Sequence, residues 1–364
     1  MAVPYREALK EIAPFAPARS LESARREFNI SKFIKLSGNE NNHGVSEKAI
    51  AALRNFEPEL ARYPDPYCTI LRERLAERLN VEKEQLLFGN GSFELISLTA
   101  LTYLNPGDEA VIPSPSFGWY KTSVTQAGGV PVTVPLKSHR IDLDALLEAV
   151  TPKTRLVCLV NPNNPTGTYF TRSEFEPFLE KLPSDKLVVL DEAYVDFVDG
   201  DDFPDGIDFA RYHDNVVSLR TFSKVYSLAS ARIGYAYGHP SIIDALSREK
   251  LPINVNGAAQ AAAVGALSDQ EHYDYVVSAN AAGRKLYYET LGRWKIECIP
   301  THCNFIMFNT LRDSAEIELE YLKRGVLVRK GTEFGMPTWL RVTIGTEEEN
   351  KKALAILGEI LGLS

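Results

Sequence analysis

Residues 155–194 read RLVCLVNPNNPTGTYFTRSEFEPFLEKLPSDKLVVLDEAY. The segment opens on an apolar run at 155–160 and closes on a second at 186–190. Runs of Val, Leu and Ile without polar alternation suit strands covered on both faces. Residues 171–181 between them read as a helix. Strand, crossover helix, strand is the repeating unit of a parallel sheet.

Working outward, the same alternation continues. Strands are expected over 85–88, 109–112, 215–219 and 232–237, and helices over 92–103 and 142–149. This predicts an α/β fold with a mostly parallel central sheet and helices on both faces. From about residue 275 the pattern changes. A helix at 275–294, a strand at 304–309, a helix at 314–324, strands at 325–329 and 339–344, and a last helix from Glu347 suggest a smaller α/β domain. The first 40 residues hold a helix and a short strand that could pack onto it. The expected division is a large domain over 45–275 and a small one built from 1–44 and 276–364. A length of 364 residues suits about two domains, at roughly 150 residues each.

Composition narrows the function classes. Hydrophobic residues make up 45% and charged residues 24%, ordinary values for a globular chain. Forty Lys and Arg against 48 Asp and Glu give a formal charge of −8. With no basic tract, bulk charge offers nothing to nucleic acid or anionic lipid. No apolar run approaches the roughly 20 residues of a membrane helix. Cys68, Cys158, Cys298 and Cys303 lack both metal spacing and the density of a disulfide scaffold. A cytoplasmic protein without a metal centre is expected.

In an open parallel sheet, ligands bind beyond the carboxyl ends of the strands. The segments following the strands are Gly89-Asn90-Gly91-Ser92, Pro113 to Tyr120, Asn161 to Gly167, Asp191-Glu192-Ala193-Tyr194, and Arg220-Thr221-Phe222-Ser223-Lys224. Singly, each has a plain reading. Gly89 to Ser92 is a tight turn with a helix cap, Asp191 an exposed cap, Lys224 a surface lysine. As a set they fit pyridoxal phosphate (PLP) chemistry, which needs a lysine amine and a carboxylate for the pyridine nitrogen. It also needs partners for the ring oxygen, an anion site and a flat wall. Lys224, Asp191, Tyr194 with Asn164, the helix start at Gly91, Ser92 and Phe93, and Phe117 supply these in turn. Arg232, eight residues beyond Lys224, could reach the same phosphate.

The chain resembles the fold-type I PLP aminotransferases, and within them the histidinol-phosphate aminotransferase group. The matching segments are Gly38 to Asn41, Arg62-Tyr63-Pro64-Asp65, Gly89 to Ser92, Asn161 to Gly167, Asp191 to Tyr194, Thr221 to Lys224 with Arg232, and Leu340 to Thr346. They follow the family's order from about residue 10 to the C-terminus. The resemblance implies that Lys224 holds the cofactor covalently and Asp191 binds its pyridinium nitrogen. Asn164 and Tyr194 would bond the ring oxygen, and Phe117 would stack on the ring. Thr221, Ser223, Arg232 and the amides of Gly91 to Phe93 would hold the cofactor phosphate. Tyr63 would reach that phosphate from a neighbouring subunit, so a homodimer with shared active sites is implied. Arg341 would grip the anionic end of the substrate and Arg329 would help bind a substrate phosphate.

Three positions depart from the family pattern. The Asn-Glu-Asn segment continues as Asn42-His43-Gly44-Val45 without the usual proline. Phe93 stands where relatives often have aspartate, and Phe15 where an N-terminal tyrosine touches the substrate phosphate. His43 reads as a partly exposed loop histidine. The implied activity is amino transfer from histidinol phosphate to 2-oxoglutarate, a step of histidine biosynthesis. An aromatic amino-acid aminotransferase is the alternative, followed by a phospho-amino-acid decarboxylase. A PLP-binding regulatory or scaffold protein is the rival from another class, and the full set of catalytic residue types argues against it.

Overall fold

The computed structural model describes residue 3, residues 5–14 and residues 20–363. Phe15 therefore lies outside the described residues. Thirteen strands are found among the described residues, β1 (Ile34–Lys35), β2 (Leu86–Gly89), β3 (Glu109–Ser114), β4 (Val130–Pro135), β5 (Thr154–Val160), β6 (Leu187–Asp191), β7 (Val216–Thr221), β8 (Gly234–Gly238), β9 (Cys298–Ile299), β10 (Phe305–Asn309), β11 (Val326–Leu327), β12 (Arg329–Lys330) and β13 (Trp339–Thr343).

Seven of them form one sheet in the order β2-β8-β7-β6-β5-β3-β4. Strands β4, β3, β5, β6 and β7 run parallel. β8 is antiparallel to both β7 and β2. The apolar runs are continuous because successive side chains feed two different cores. Val157, Leu159, Val188 and Leu190 enter one cluster, while Leu156, Cys158, Leu187 and Val189 enter the other. This is the two-residue period of a strand covered on both faces.

A second sheet, β12-β13-β10-β9, is antiparallel. Ile306, Phe308, Leu340 and Val342 pack there against Tyr287, Leu291, Leu354 and Leu357 from the helices Gln270–Arg293 and Glu347–Leu361. β1 pairs in parallel with β11, which ties the N-terminal segment to the C-terminal one.

Several sequence expectations shift. The helix expected at 275–294 begins at Gln270, because the Asp269 side chain caps it by accepting from the His272 N–H. The strand expected at 325–329 is two short strands, one pairing with β1 and one with β13. The strand expected at 232–237 starts at Gly234, which leaves Arg232 just ahead of it with φ of 60°. β4 was not expected. Its sequence VPVTVP carries two prolines, tolerable because β4 pairs with β3 alone at the sheet edge. No helix among the described residues is long and apolar enough to cross a membrane.

Candidate active site

The carboxyl ends of β3, β5, β6 and β7 open into a cavity of about 750 Å³. Its walls include Lys224, Asp191, Tyr194, Asn164, Thr221, Ser223, Arg232, Ser92, Phe93, Phe117, Arg329 and Arg341. Segments far apart in sequence meet here because the parallel strands all end on this side.

Asp191 is the last residue of β6 and is 2% exposed, not the exposed cap of the plain reading. Tyr120 donates its hydroxyl to Oδ2 at 3.1 Å, and the Ala193 N–H donates to Oδ1 at 3.2 Å. Burial pushes the carboxyl up to about 6, while those two bonds and the Lys224 charge pull it back. A carboxylate so desolvated calls for a cationic N–H partner from the cavity. Its neighbour Glu192 lies outside the cavity wall, where Ser218 donates at 2.6 Å, Gly206 N–H at 2.8 Å and Arg220 Nε at 3.1 Å.

Lys224 follows β7, and its Nζ donates to the Asn39 carbonyl at 2.9 Å. Burial, then the nearby Arg341 charge, brings the amine down to about 8. Near neutral pH this amine is still mostly protonated, with a larger neutral fraction than an exposed lysine has. The Tyr194 hydroxyl accepts from Asn39 Nδ2 at 3.0 Å and Asn164 Nδ2 at 3.2 Å. Burial pushes this phenol up, so it remains protonated.

Arg341 sits in the middle of β13 and is almost wholly buried. Its fork donates to Asn164 Oδ1 at 2.6 Å and to the Ser37 carbonyl at 3.0 Å. Its carbon lies 5.3 Å from the Phe305 ring centre and 5.1 Å from that of Phe334. Burial lowers the guanidinium to about 10, and it stays charged at neutral pH. Its Nε has no hydrogen-bond partner among the described residues.

The anion cradle lies at the start of the helix Ser92–Tyr103, which no side chain caps. Gly91 holds φ of 78°, and a Cβ there would lie 2.3 Å from Arg232 Nη2. Only glycine lets the guanidinium approach this turn. The Ser223 N–H donates to Thr221 Oγ1 at 3.0 Å, which turns both hydroxyls toward one another at 2.9 Å. A guanidinium, hydroxyls and a helix start form a donor set for a phosphate. Phe117 meets Phe93 edge to face at 5.1 Å, and Phe93 meets Trp119 at 5.3 Å, giving an aromatic wall.

Arg329 also lines the cavity, with its fork paired to Glu333. Tyr63 is not in the cavity of its own chain and is 90% exposed. His43 is partly buried against Tyr275, at 5.7 Å between ring centres. Sequence reading did not single out Tyr120, Glu333 or Phe334, nor give roles to Ser37, Asn39 and Glu40. For Asn39 and Glu40 a signal existed, since Gly38 to Asn41 follows a short apolar strand as the other site loops do.

The donor set fits PLP: a buried carboxylate, an amine of lowered pKa, paired donors beside a phenol, and the Gly91–Arg232 cradle. The sequence model of the family described as aminotransferase class I and II matches residues 31–357. Histidinol-phosphate aminotransferase 2 of Carboxydothermus hydrogenoformans is 43% identical over 357 residues, covering 98% of this chain and 99% of that protein. The histidinol-phosphate aminotransferase of Bacillus subtilis is 40% identical over 359 residues, covering 98% and 99%. The crystal structure of the Sinorhizobium meliloti histidinol-phosphate aminotransferase, in complex with pyridoxal-5'-phosphate, matches with a TM-score of 0.91 at 26% identity. That match covers 99% of this chain and 98% of the other. The architecture is that of fold-type I PLP aminotransferases. The chain belongs to the class I and II aminotransferases.

Proposed function

We propose that the chain is a PLP-dependent transaminase that moves the amino group of histidinol phosphate to 2-oxoglutarate, a reaction of histidine biosynthesis. The observation that carries this is one cavity lined by Lys224, Asp191, Arg232 and the two arginines Arg329 and Arg341. It accords with the names of relatives about 40% identical over their whole length.

PLP, when bound, supplies an aldehyde that accepts amino groups and a protonated ring that spreads the charge left by a departing Cα proton. The residues of this chain do the rest. Thr221, Ser223, Arg232 and the helix start at Gly91, Ser92 and Phe93 would bind the phosphate group. Asp191 would hold the ring nitrogen protonated, its own ionised form favoured by that cation. Asn164 and Tyr194 would bond the ring oxygen, and Phe117 would cover the ring face. Lys224, with its amine brought down to about 8, would take the substrate's Cα proton and return it one atom further on. Arg341, already held in a fixed fork by Asn164 and Ser37, would orient the substrate anion. Arg329 would help Arg341 bind that anion, the phosphate of histidinol phosphate.

The reading includes a large cofactor-binding unit over 45–275 and a smaller one from 1–44 and 276–364. The seven-stranded sheet lying in the first range and the four-stranded sheet in the second support it. It also includes a homodimer. Tyr63, Tyr67, Leu60 and Ile70 are 90%, 71%, 66% and 66% exposed, and a second copy would cover them. Full activity from a monomer would remove that part. Four free thiols accord with a cytoplasmic enzyme.

A second reading, an aromatic amino-acid aminotransferase, is favoured by the wall of Phe93, Phe117 and Trp119 and by the engagement of Arg329 with Glu333. A donor panel separates the two. With 2-oxoglutarate as acceptor, histidinol phosphate should give glutamate with a higher kcat/KM than phenylalanine or tyrosine. Preference for phenylalanine would hand the site to the second reading. Release of carbon dioxide from threonine phosphate would point to a decarboxylase.

A further inference from the structure

Asn39 lines the cavity from the loop after β1, and each of its polar groups is engaged. Its N–H donates to Thr343 Oγ1 at 2.9 Å. Its carbonyl accepts from Lys224 Nζ at 2.9 Å and from Asn304 Nδ2 at 3.0 Å. Its side-chain Nδ2 donates to the Tyr194 hydroxyl at 3.0 Å. Asn39 and Tyr194 are both buried. The φ of Asn39 is 53°, a left-handed conformation that asparagine tolerates and glycine adopts freely.

Two amides thus meet one phenol, and each is oriented from behind. Arg341 can only donate, so Asn164 must turn its oxygen to the guanidinium and its Nδ2 to Tyr194. The Thr343 hydroxyl accepts the Asn39 N–H and donates to Asn39 Oδ1 at 3.4 Å, which leaves the Asn39 Nδ2 facing Tyr194. A phenol oxygen has two lone pairs and one hydrogen. Both lone pairs of Tyr194 receive amide hydrogens, so its own hydrogen is left to point away from the amides, into the cavity that Tyr194 lines. Each accepted N–H also polarises the hydroxyl and makes it a stronger donor. Burial pushes the phenol up, while the Arg341 charge and the Asn39 bond pull it back. We propose that Asn39 is a positioning residue that acts through Tyr194. Its amide aims the Tyr194 hydrogen at the ring oxygen of the cofactor and keeps Tyr194 from serving as an acceptor there. The proposal rests on the reading above that PLP binds with its ring oxygen at Tyr194.

The test compares wild type with Asn39→Gly, Tyr194→Phe and the double variant. Both substitutions replace a neutral side chain by a neutral one, so neither brings a new charge to the cavity. Glycine keeps the left-handed φ and the backbone carbonyl that faces Lys224. With PLP bound, the visible absorbance is titrated against pH. A hydrogen given to the ring oxygen draws off negative charge that otherwise holds a proton on the neighbouring link to Lys224. Loss of that donor should therefore move the transition to higher pH, as Tyr194→Phe should show. Asn39→Gly should raise it by roughly 0.3 to 1 pH unit, a two- to tenfold change in the dissociation constant, the range of one ordinary hydrogen bond. In the Tyr194→Phe background, Asn39→Gly should add no shift. An equal shift in both backgrounds would overturn the proposal, since Asn39 would then act without Tyr194. So would no shift from Asn39→Gly where Tyr194→Phe gives one. Tyr194→Phe without a shift would remove the ring-oxygen reading, and the proposal with it. A second arm needs no cofactor. In urea unfolding of the four cofactor-free proteins, the two changes should be non-additive by roughly two- to tenfold in the folding constant. Strict additivity would mean that the two side chains share no bond, and would equally overturn the proposal.

Discussion

Along β6, the first four residues and the fifth are buried alike and to opposite effect. Leu187, Val188, Val189 and Leu190 are at most 5% exposed, and Asp191 is 2% exposed. Burial of each aliphatic side chain stabilises the fold by about 1.5–3 kcal/mol. Burial of Asp191 disfavours its charged form and pushes its carboxyl up to about 6. β7 repeats the contrast, with buried Val216, Val217 and Leu219 leading to Thr221, Ser223 and Lys224. The body of the sheet is arranged for stability, and its rim holds polar groups at a cost that a bound ligand would offset. Stability and activity should therefore respond in opposite ways to changes a few residues apart on one strand.

The largest effect belongs to the rim. Lys224→Ala should lower transamination by roughly 10⁴-fold or more, because on the proposed function it would take away both the covalent anchor and the proton carrier. Its cofactor-free melting temperature should not fall. Near-normal glutamate formation by this variant would break the comparison. In the sheet body, Leu190→Ala should cost about 2–5 kcal/mol of stability in urea unfolding. The catalytic residues should keep their rates in whatever fraction stays folded. Asp191→Ala, one residue on, should keep the fold and lose roughly 10²–10³-fold in turnover, the scale for removing a preorganised charge. A loss in stability comparable with that of Leu190→Ala would make Asp191 a structural residue instead.

The smallest effect sharpens the argument most. The folded pKa of Asp191 is raised, so the stability it gives is present below its unfolded value of 3.8 and lost as pH rises through about 6. The folded pKa of Lys224 is lowered, so its contribution is present above 10.5 and lost as pH falls through about 8. At pH 7 both groups are in their unfavourable state. Cofactor-free Asp191→Asn should thus be more stable than wild type at pH 7, by up to about 3 kcal/mol. Urea midpoints should show the gap closing toward pH 4. A constant gap, or a less stable variant, would mean that desolvation of Asp191 is not what raises it.

The contrast also governs what sequence reading could reach. β5 and β6 were legible because two cores impose an unbroken apolar run. The residues after them were legible as polar turns at strand ends. β4 was not, since Pro131 and Pro135 break the strand pattern and only its edge position excuses them. Tyr120 was not, because its tie to Asp191 spans 71 positions and lies inside an ordinary amphipathic helix. Asn39 bonds residues 155 and 185 positions away, a convergence that no local pattern encodes. The partnership of Arg329 and Glu333 depends on a short turn placing both on one wall, and sequence showed the arginine alone.

The central claim is that the rim of the sheet is built around one lysine amine. Purified protein loaded with PLP, reduced with borohydride and digested, would show by peptide mass which residue carries the cofactor. The account predicts the adduct on Lys224 and its loss in Lys224→Ala. An adduct confined to another lysine, or none at stoichiometric loading, would contradict it.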